Sequence, residues 1–327
     1  MVPITLQVVS VSSVAPSTRA ELRRLRVRDG LEELDRWLTD QIRTGLAPLP
    51  RLGYPHFDAI AARMIDAQAP GVAGVLRALP GELEEKNWPE HLLHELAGVH
   101  LLSRAHGRLD ELPVDLAATV RSRIGYPVAK ADVLAGPAIT DSWWAVGAVD
   151  VVDSTLRRRR VWLRGATSGR WAVWLAFARP GQAFDDSVLP GMAITGDLHF
   201  YPGAGQQRAL VGRRADETPS RLDVGGVSQA EARRQFADLV AADPWASRMP
   251  VALRARPIRG DDGDWWLRDA AGTGCPMLGL DGQPWPLLAQ SGGEPLTVFG
   301  EWTGSGLRPL SVLPDDHGRT LELEICG

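Results

Sequence analysis

The sequence predicts an α+β protein: an N-terminal all-helical domain, then a mostly antiparallel β domain with one inserted helix. Three observations lead there. Up to about residue 134 the apolar residues recur at intervals of three and four, the period of a helix with one buried face. Beyond Pro137 they alternate instead, in short runs rich in valine, tryptophan, phenylalanine and leucine between Gly, Pro and Asp clusters. Most of those connections are too short for crossover helices, so neighbouring strands should run antiparallel. A chain of 327 residues is long enough for two domains. They are expected at 30–136 (helical) and 137–327 (β), after a tail or disordered start at 1–29.

Leu31, Leu34, Trp37, Leu38 and Ile42 share helical spacing and predict a helix over Leu31–Leu46. Phe57–Gln68 carries Ile60, Ala61, Met64 and Ile65 on one side and stops before Pro70. APGVAGVLRALPG, residues 69–81, reads as a short helix between turn residues. Trp88–Ala105 has the cleanest stripe, Leu92, Leu96, Val99 and Leu102, and Gly107 marks its end. Pro113 suits the first turn of a further helix through about Arg123. None of these buries its stripe alone, so they should pack together.

The predicted strands are Trp143–Val149, Arg158–Leu163, Trp171–Ala178, Ala193–Phe200, Gln207–Val211, Val251–Pro257, Trp265–Arg268, Leu296–Trp302 and Leu307–Val312. One helix interrupts them at Ser228–Ala241, with Ala232, Phe236, Leu239 and Val240 on its apolar side and Asp243–Trp245 ending it.

Composition narrows the function classes. The net charge of −4 gives no global attraction for nucleic acid or anionic lipid, so either would need a local patch. Cys275 and Cys326 make neither a disulfide framework nor a zinc knuckle, and so few cysteines fit a reducing compartment. The apolar run Val2–Val14 is broken by Pro3, Thr5, Gln7 and Ser10, and its basic residues follow it. That order is wrong for a signal peptide, and the run is too short to span a bilayer. A cytoplasmic protein with no membrane partner is expected, and the opening reads as an arbitrary start.

Motifs for chemistry are weak. His91 and His94 share a helix face beside Glu95, but HLLHE is neither HExxH nor HxxEH, so polar-face histidines are the better reading. Asp261, Asp262 and Asp264 lack the twelve-residue spacing and terminal glutamate of a calcium loop and suit a hairpin turn. Walker, GxGxxG and GxSxG patterns are missing. His199, with Asp197 two residues earlier on the same strand face, is the best general-base pair for a hydrolase of unknown substrate. Cys275 reads as structural. No catalytic residue, metal ligand or cofactor is assigned.

The segment Trp143–Phe177 stands apart. It holds five of the twelve tryptophans beside Arg157–Arg160, and Val151–Pro180 has seven arginines against one aspartate, a formal +6. In a strand, Arg158, Arg160, Trp162 and Arg164 point one way and Arg157, Arg159, Val161 and Leu163 the other. Charge on both faces implies that the strand's start protrudes from the sheet or lies at its edge. Three readings stand: charges protecting an edge, a protein-binding patch, or phosphate contacts. The candidate partner-binding residues are Arg157, Arg158, Arg159, Arg160 and Arg164.

Several stretches together resemble actinobacterial SWIM zinc-finger family proteins in the part that follows their finger. They are GLEELDRWLTDQIRTGLAPL, AARMIDAQAPGVAGVLR, RRVWLRGATSGRWAVWLAFARPG, LHFYPGAGQQRALV and GEWTGSGLRPLSV, spanning about Gly30 to Val312. The family's CxCx(n)CxH finger is absent here; either it has been lost or the chain begins after it. The resemblance implies nucleic-acid or protein binding through that finger, which has no counterpart residues in this chain. It also implies an assembly with AAA ATPases or von Willebrand A-type proteins. The leading expectation is therefore a noncatalytic protein-binding or scaffold component of a bacterial cytoplasmic assembly. A nucleic-acid-binding accessory protein using Arg157–Arg160, and a hydrolase, are the alternatives.

Overall fold

The structure, a computed structural model, describes residues 16–84, 87–152, 156–184, 188–205, 207–215, 217–219, 224–261, 263–279, 284–313 and 321–322. Cys326, Asp262 and the first half of the expected tail lie outside them. The chain divides after Pro127 into two compact units.

The first unit contains α1 (Pro16–Thr44), α2 (Leu49–Asp66), α3 (Pro70–Glu82), α4 (Trp88–His106) and α5 (Val114–Ile124). Residues 16–29, expected as tail, are the first half of α1. Two contacts explain the correction. Val27 is buried in line with Leu31, Leu34 and Leu38, so the apolar stripe starts one turn earlier. Arg23 then donates to the carbonyls of Gln68 and Gly125, each at 3.2 Å, and lies over the Tyr126 ring at 5.0 Å. One side chain thus ties α1 to the ends of α2 and α5 and satisfies carbonyls that a helix end leaves open. α2 begins before the predicted Phe57 and crosses a kink at Gly53, whose φ of 56° suits glycine, with Pro55 just beyond. The stripes of α1 to α5 meet in one core that includes Leu34, Phe57, Met64, Leu76, Leu92 and Ile124.

The second unit opens with α6 (Lys130–Ala135), β1 (Ala138–Val152), β2 (Arg157–Gly165), β3 (Trp171–Ala178), β4 (Met192–Phe200), β5 (Arg208–Arg214) and β6 (Thr218–Pro219). It continues with α7 (Gln229–Ala242), β7 (Met249–Arg259), β8 (Trp265–Arg268), β9 (Gly274–Pro276), α8 (Trp285–Ser291), β10 (Leu296–Trp302), β11 (Leu307–Leu313) and β12 (Leu321–Glu322). α6, expected inside the helical domain, packs on β4 and β5 instead.

The first sheet runs β1-β2-β3-β5-β4-β6, and β1 also pairs with β4. Five strands therefore close into a barrel, with β3 and β5 parallel and the other barrel pairs antiparallel. This is the connectivity of an OB-type barrel. Its interior holds Trp143, Val161, Leu163, Trp174, Ile194 and Leu198. The second sheet runs β12-β11-β10-β7-β8-β9. Ala252, Phe299 and Leu310 from this sheet pack on Trp144, Val146, Trp162 and Val173 from the outer barrel wall. The other face of the second sheet, with Val251, Leu253 and Val298, is covered by Ala232 and Phe236 of α7. β1 is apolar at consecutive positions because it is buried on both sides. Gly147 sits where a Cβ would meet the Phe299 ring at 2.8 Å, so no larger residue fits that approach.

α7 is anchored by its own first turn. Ser228 caps it by accepting from the N–H of Glu231 at 3.2 Å. Gln229, fully buried, donates to the carbonyls of Leu267 and Thr273 at 2.7 and 2.9 Å, which fixes the helix to the β8–β9 hairpin.

In the helical unit the ring of buried His106 lies 2.9 Å from the Tyr126 hydroxyl. Burial lowers its pKa below the ordinary 6.5, and Arg24 and Arg121 push the same way. The unfolded chain therefore takes up this proton first, and the stabilisation present above pH 6.5 is lost as pH falls through that value toward the lower folded pKa. Urea midpoints should drop between pH 7.5 and 5.5, and His106→Gln should flatten that slope. His56, also lowered by burial, carries part of what remains.

Candidate functional site

The arginine strand is not an edge. Every residue from Arg157 to Arg164 in β2 has a partner in β3, and the register with β1 runs along the same stretch. The charge is accommodated by pairing. Arg159 donates to both Asp150 carboxylate oxygens at 2.7 and 2.8 Å. Arg157 lies 3.6 Å from the same carboxylate and donates to the Gln182 carbonyl at 2.8 Å. Both guanidiniums stand over the Phe184 ring, at 4.9 and 4.7 Å. On the opposite face Arg160 grips Glu301 of β10 at 2.7 and 3.0 Å. Glu301 also accepts from the Trp162 indole at 2.8 Å and from Arg248 at 3.5 Å. Burial pushes the Arg160 guanidinium below its usual value while the Glu301 charge opposes this. Arg164 lies 4.7 Å over Trp171, which stacks on Phe299 at 5.3 Å, and burial lowers its pKa too. Arg158 is exposed.

The five arginines therefore share one strand, and four of them are engaged inside the β unit. The face of the second and third strands is the usual ligand surface of an OB-type barrel. Here the second sheet lies on it, through Trp162 and Val173. Asp141 holds the adjoining β2–β3 turn by accepting the N–H groups of Ser142, Thr167 and Ser168. Burial acts to raise its pKa, and those hydrogen bonds outweigh it.

His199 and Asp197 do not form a catalytic pair. The carboxylate accepts from the Thr140 hydroxyl and from Arg213, which hold it below the usual carboxylate range. The His199 ring instead meets the Gly136 carbonyl at 3.1 Å. A Cβ on Gly212 would come within 2.9 Å of its Nε2, so strand backbone closes over the other nitrogen. His91 and His94 are exposed on α4. Among the described residues, no group of three or more His, Cys, Asp or Glu is placed to hold a metal. Burial pushes the Cys275 thiol up to about 11, so it stays protonated and unreactive at neutral pH.

A groove of about 410 Å³ lies between α1 and α4. Leu38 and Leu96, both buried, form its floor, and Ile42, Leu93 and Ala97 its sides. Ile42 is 55% exposed and Leu93 49%, large values for aliphatic side chains at helical spacing from core residues. The rim is polar: Arg43 at one end, and His100 with its Nδ1 3.0 Å from Asp35.

Residues 22–124, from the first turns of α1 to the last residue of α5, match one family model. The model describes a SWIM-associated four-helix bundle domain, to which this stretch is similar. The groove thus lies within the matched stretch, whereas the arginine strand lies outside it. No curated protein and no solved structure gives a significant match. Sequence periodicity assigned Ile42 to the core stripe of α1 and passed over Leu93. The available signal was a second apolar row, Leu93 and Leu101, beside the main stripe of α4; both residues are exposed.

Glu301→Gln should cost the β unit about 3 kcal/mol, because it leaves a buried guanidinium without its charge partner. Replacing both partners, as in Arg160→Met with Glu301→Leu, should recover most of that loss. Urea unfolding of the single and double variants measures the difference.

Proposed function

We propose that this protein is a noncatalytic protein-binding or scaffold component that works in the cytoplasm beside a SWIM zinc finger. The groove between α1 and α4 is its contact surface. The observation that carries the reading is the exposure of Ile42 and Leu93 across an apolar floor, on the domain whose family association is with SWIM proteins. Leu38 and Ile42 are spaced i, i+4, as are Leu93 and Ala97, so the two walls present ridges on which a third helix packs. The occupant is an amphipathic helix of a partner protein, recognised by its apolar stripe. Arg43 at the rim favours an acidic residue beside that stripe. AAA ATPases and von Willebrand A-type proteins, which the family resemblance implies, are the first partners to test.

A photo-crosslinking residue at Ile42 or Leu93 in host cells should capture the same polypeptide through a helical segment. The same residue at Val114, 84% exposed elsewhere on this unit, should not. Titration of the purified partner should then show at least about tenfold weaker binding to Leu93→Glu, the cost of one lost apolar anchor plus a buried charge. Capture from Val114 alone, no capture from the groove, or full affinity in Leu93→Glu would remove the groove from the function.

A further inference from the structure

The second sheet carries an arrangement that the fold itself does not use. Arg256 of β7 and Arg268 of β8 stand directly opposite each other in the antiparallel ladder. Both side chains are exposed, and among the described residues neither has a hydrogen-bond or ion-pair partner. Like charges at directly opposed positions destabilise a strand pair. Asp269 follows Arg268, but its carboxylate is taken up by the N–H groups of Gln229, Ala271 and Thr273, each at 3.0 Å. Arg254, two residues before Arg256, is exposed on the same face. The next cross-strand pair along this face is Ile258 with Trp266, both half-buried. The reverse face of these strands, with Leu253, Ala255 and Leu267, is core. A pair of arginines flanked by an indole is thus displayed on the sheet, in a chain that is −4 overall.

We propose that this face binds the phosphodiester backbone of a single-stranded nucleic acid. Guanidinium forks match phosphate oxygens two at a time, and they retain their charge at any physiological pH. Arg256 and Arg268, neighbours across the ladder, set two cations side by side where adjacent phosphates can meet them. The indole of Trp266 beside them supplies a surface on which a base stacks, which an acidic peptide would not need. Stacking on an indole needs an unpaired base, so a single strand fits better than a double one. The site is independent of the α1/α4 groove and of the reading built on it.

The test is fluorescence anisotropy of the full chain with labelled 20-nucleotide oligo-dT and oligo-U, between 50 and 200 mM salt. Binding should be salt-sensitive. The double variant Arg256→Gln with Arg268→Gln should lose at least about tenfold affinity at the lowest salt, and the log–log salt slope should shrink by about 1.4, for two phosphate contacts. The melting temperature of this variant should stay level or rise, because the like-charge pair is gone. Arg158→Gln and Leu93→Glu should bind as the parent does, which separates this site from the arginine strand and from the groove. The proposal fails if the parent does not bind at low salt, or if the double variant binds equally well. It also fails if Arg158→Gln is the variant that loses affinity, or if a poly-glutamate peptide binds more tightly than either oligonucleotide.

Discussion

The buried carboxylate of Glu301 is the constraint on which the β unit depends. It is nearly inaccessible, it sits on β10, and its partners Arg160 and Trp162 belong to β2, about 140 residues away in the chain. A charge removed from water must be paired and hydrogen-bonded or it costs several kcal/mol. Glu301 meets that condition only when the second sheet lies on the barrel in one position. Any sliding of the sheets would strand the carboxylate, the guanidinium and the indole N–H together. The apolar contacts around Phe299 supply area, and the ion pair supplies registration.

The same economy explains how four successive arginines can occupy a central strand. Each face offers its own counter-group. Asp150 on β1 and the Phe184 ring receive Arg157 and Arg159, while Glu301 receives Arg160. The helical unit is arranged differently. Its polar knot, Arg23 with the carbonyls of Gln68 and Gly125, fastens helix ends and leaves the long helix faces to apolar packing. One consequence is that α1 and α4 keep aliphatic side chains in reach of solvent.

Much of this architecture was legible locally. Trp171–Ala178, Trp265–Arg268 and Leu296–Trp302 begin and end where alternation and turn residues place them. Strands β6 and β12 were not anticipated, since two residues carry no period. Closure of the barrel was hidden as well, because the β3–β5 seam is a parallel match of two residues, Val173 with Arg208 and Trp174 with Ala209. The arginine run suggests an edge for a related reason: its decisive partner lies in another sheet, and no local pattern announces Glu301. In the helices, spacing identifies residues that share a face but not what covers that face. That is why Ile42 reads as core and stands half in solvent.

β1 pairs with β4 through its first half and with β2 through its second, and Trp143 and Trp144 pair with both neighbours at once. A residue inserted or removed near that overlap would shift both ladders together and turn the tryptophans to the wrong walls. Evolutionary change in chain length within this barrel is therefore expected to leave the length of β1 untouched.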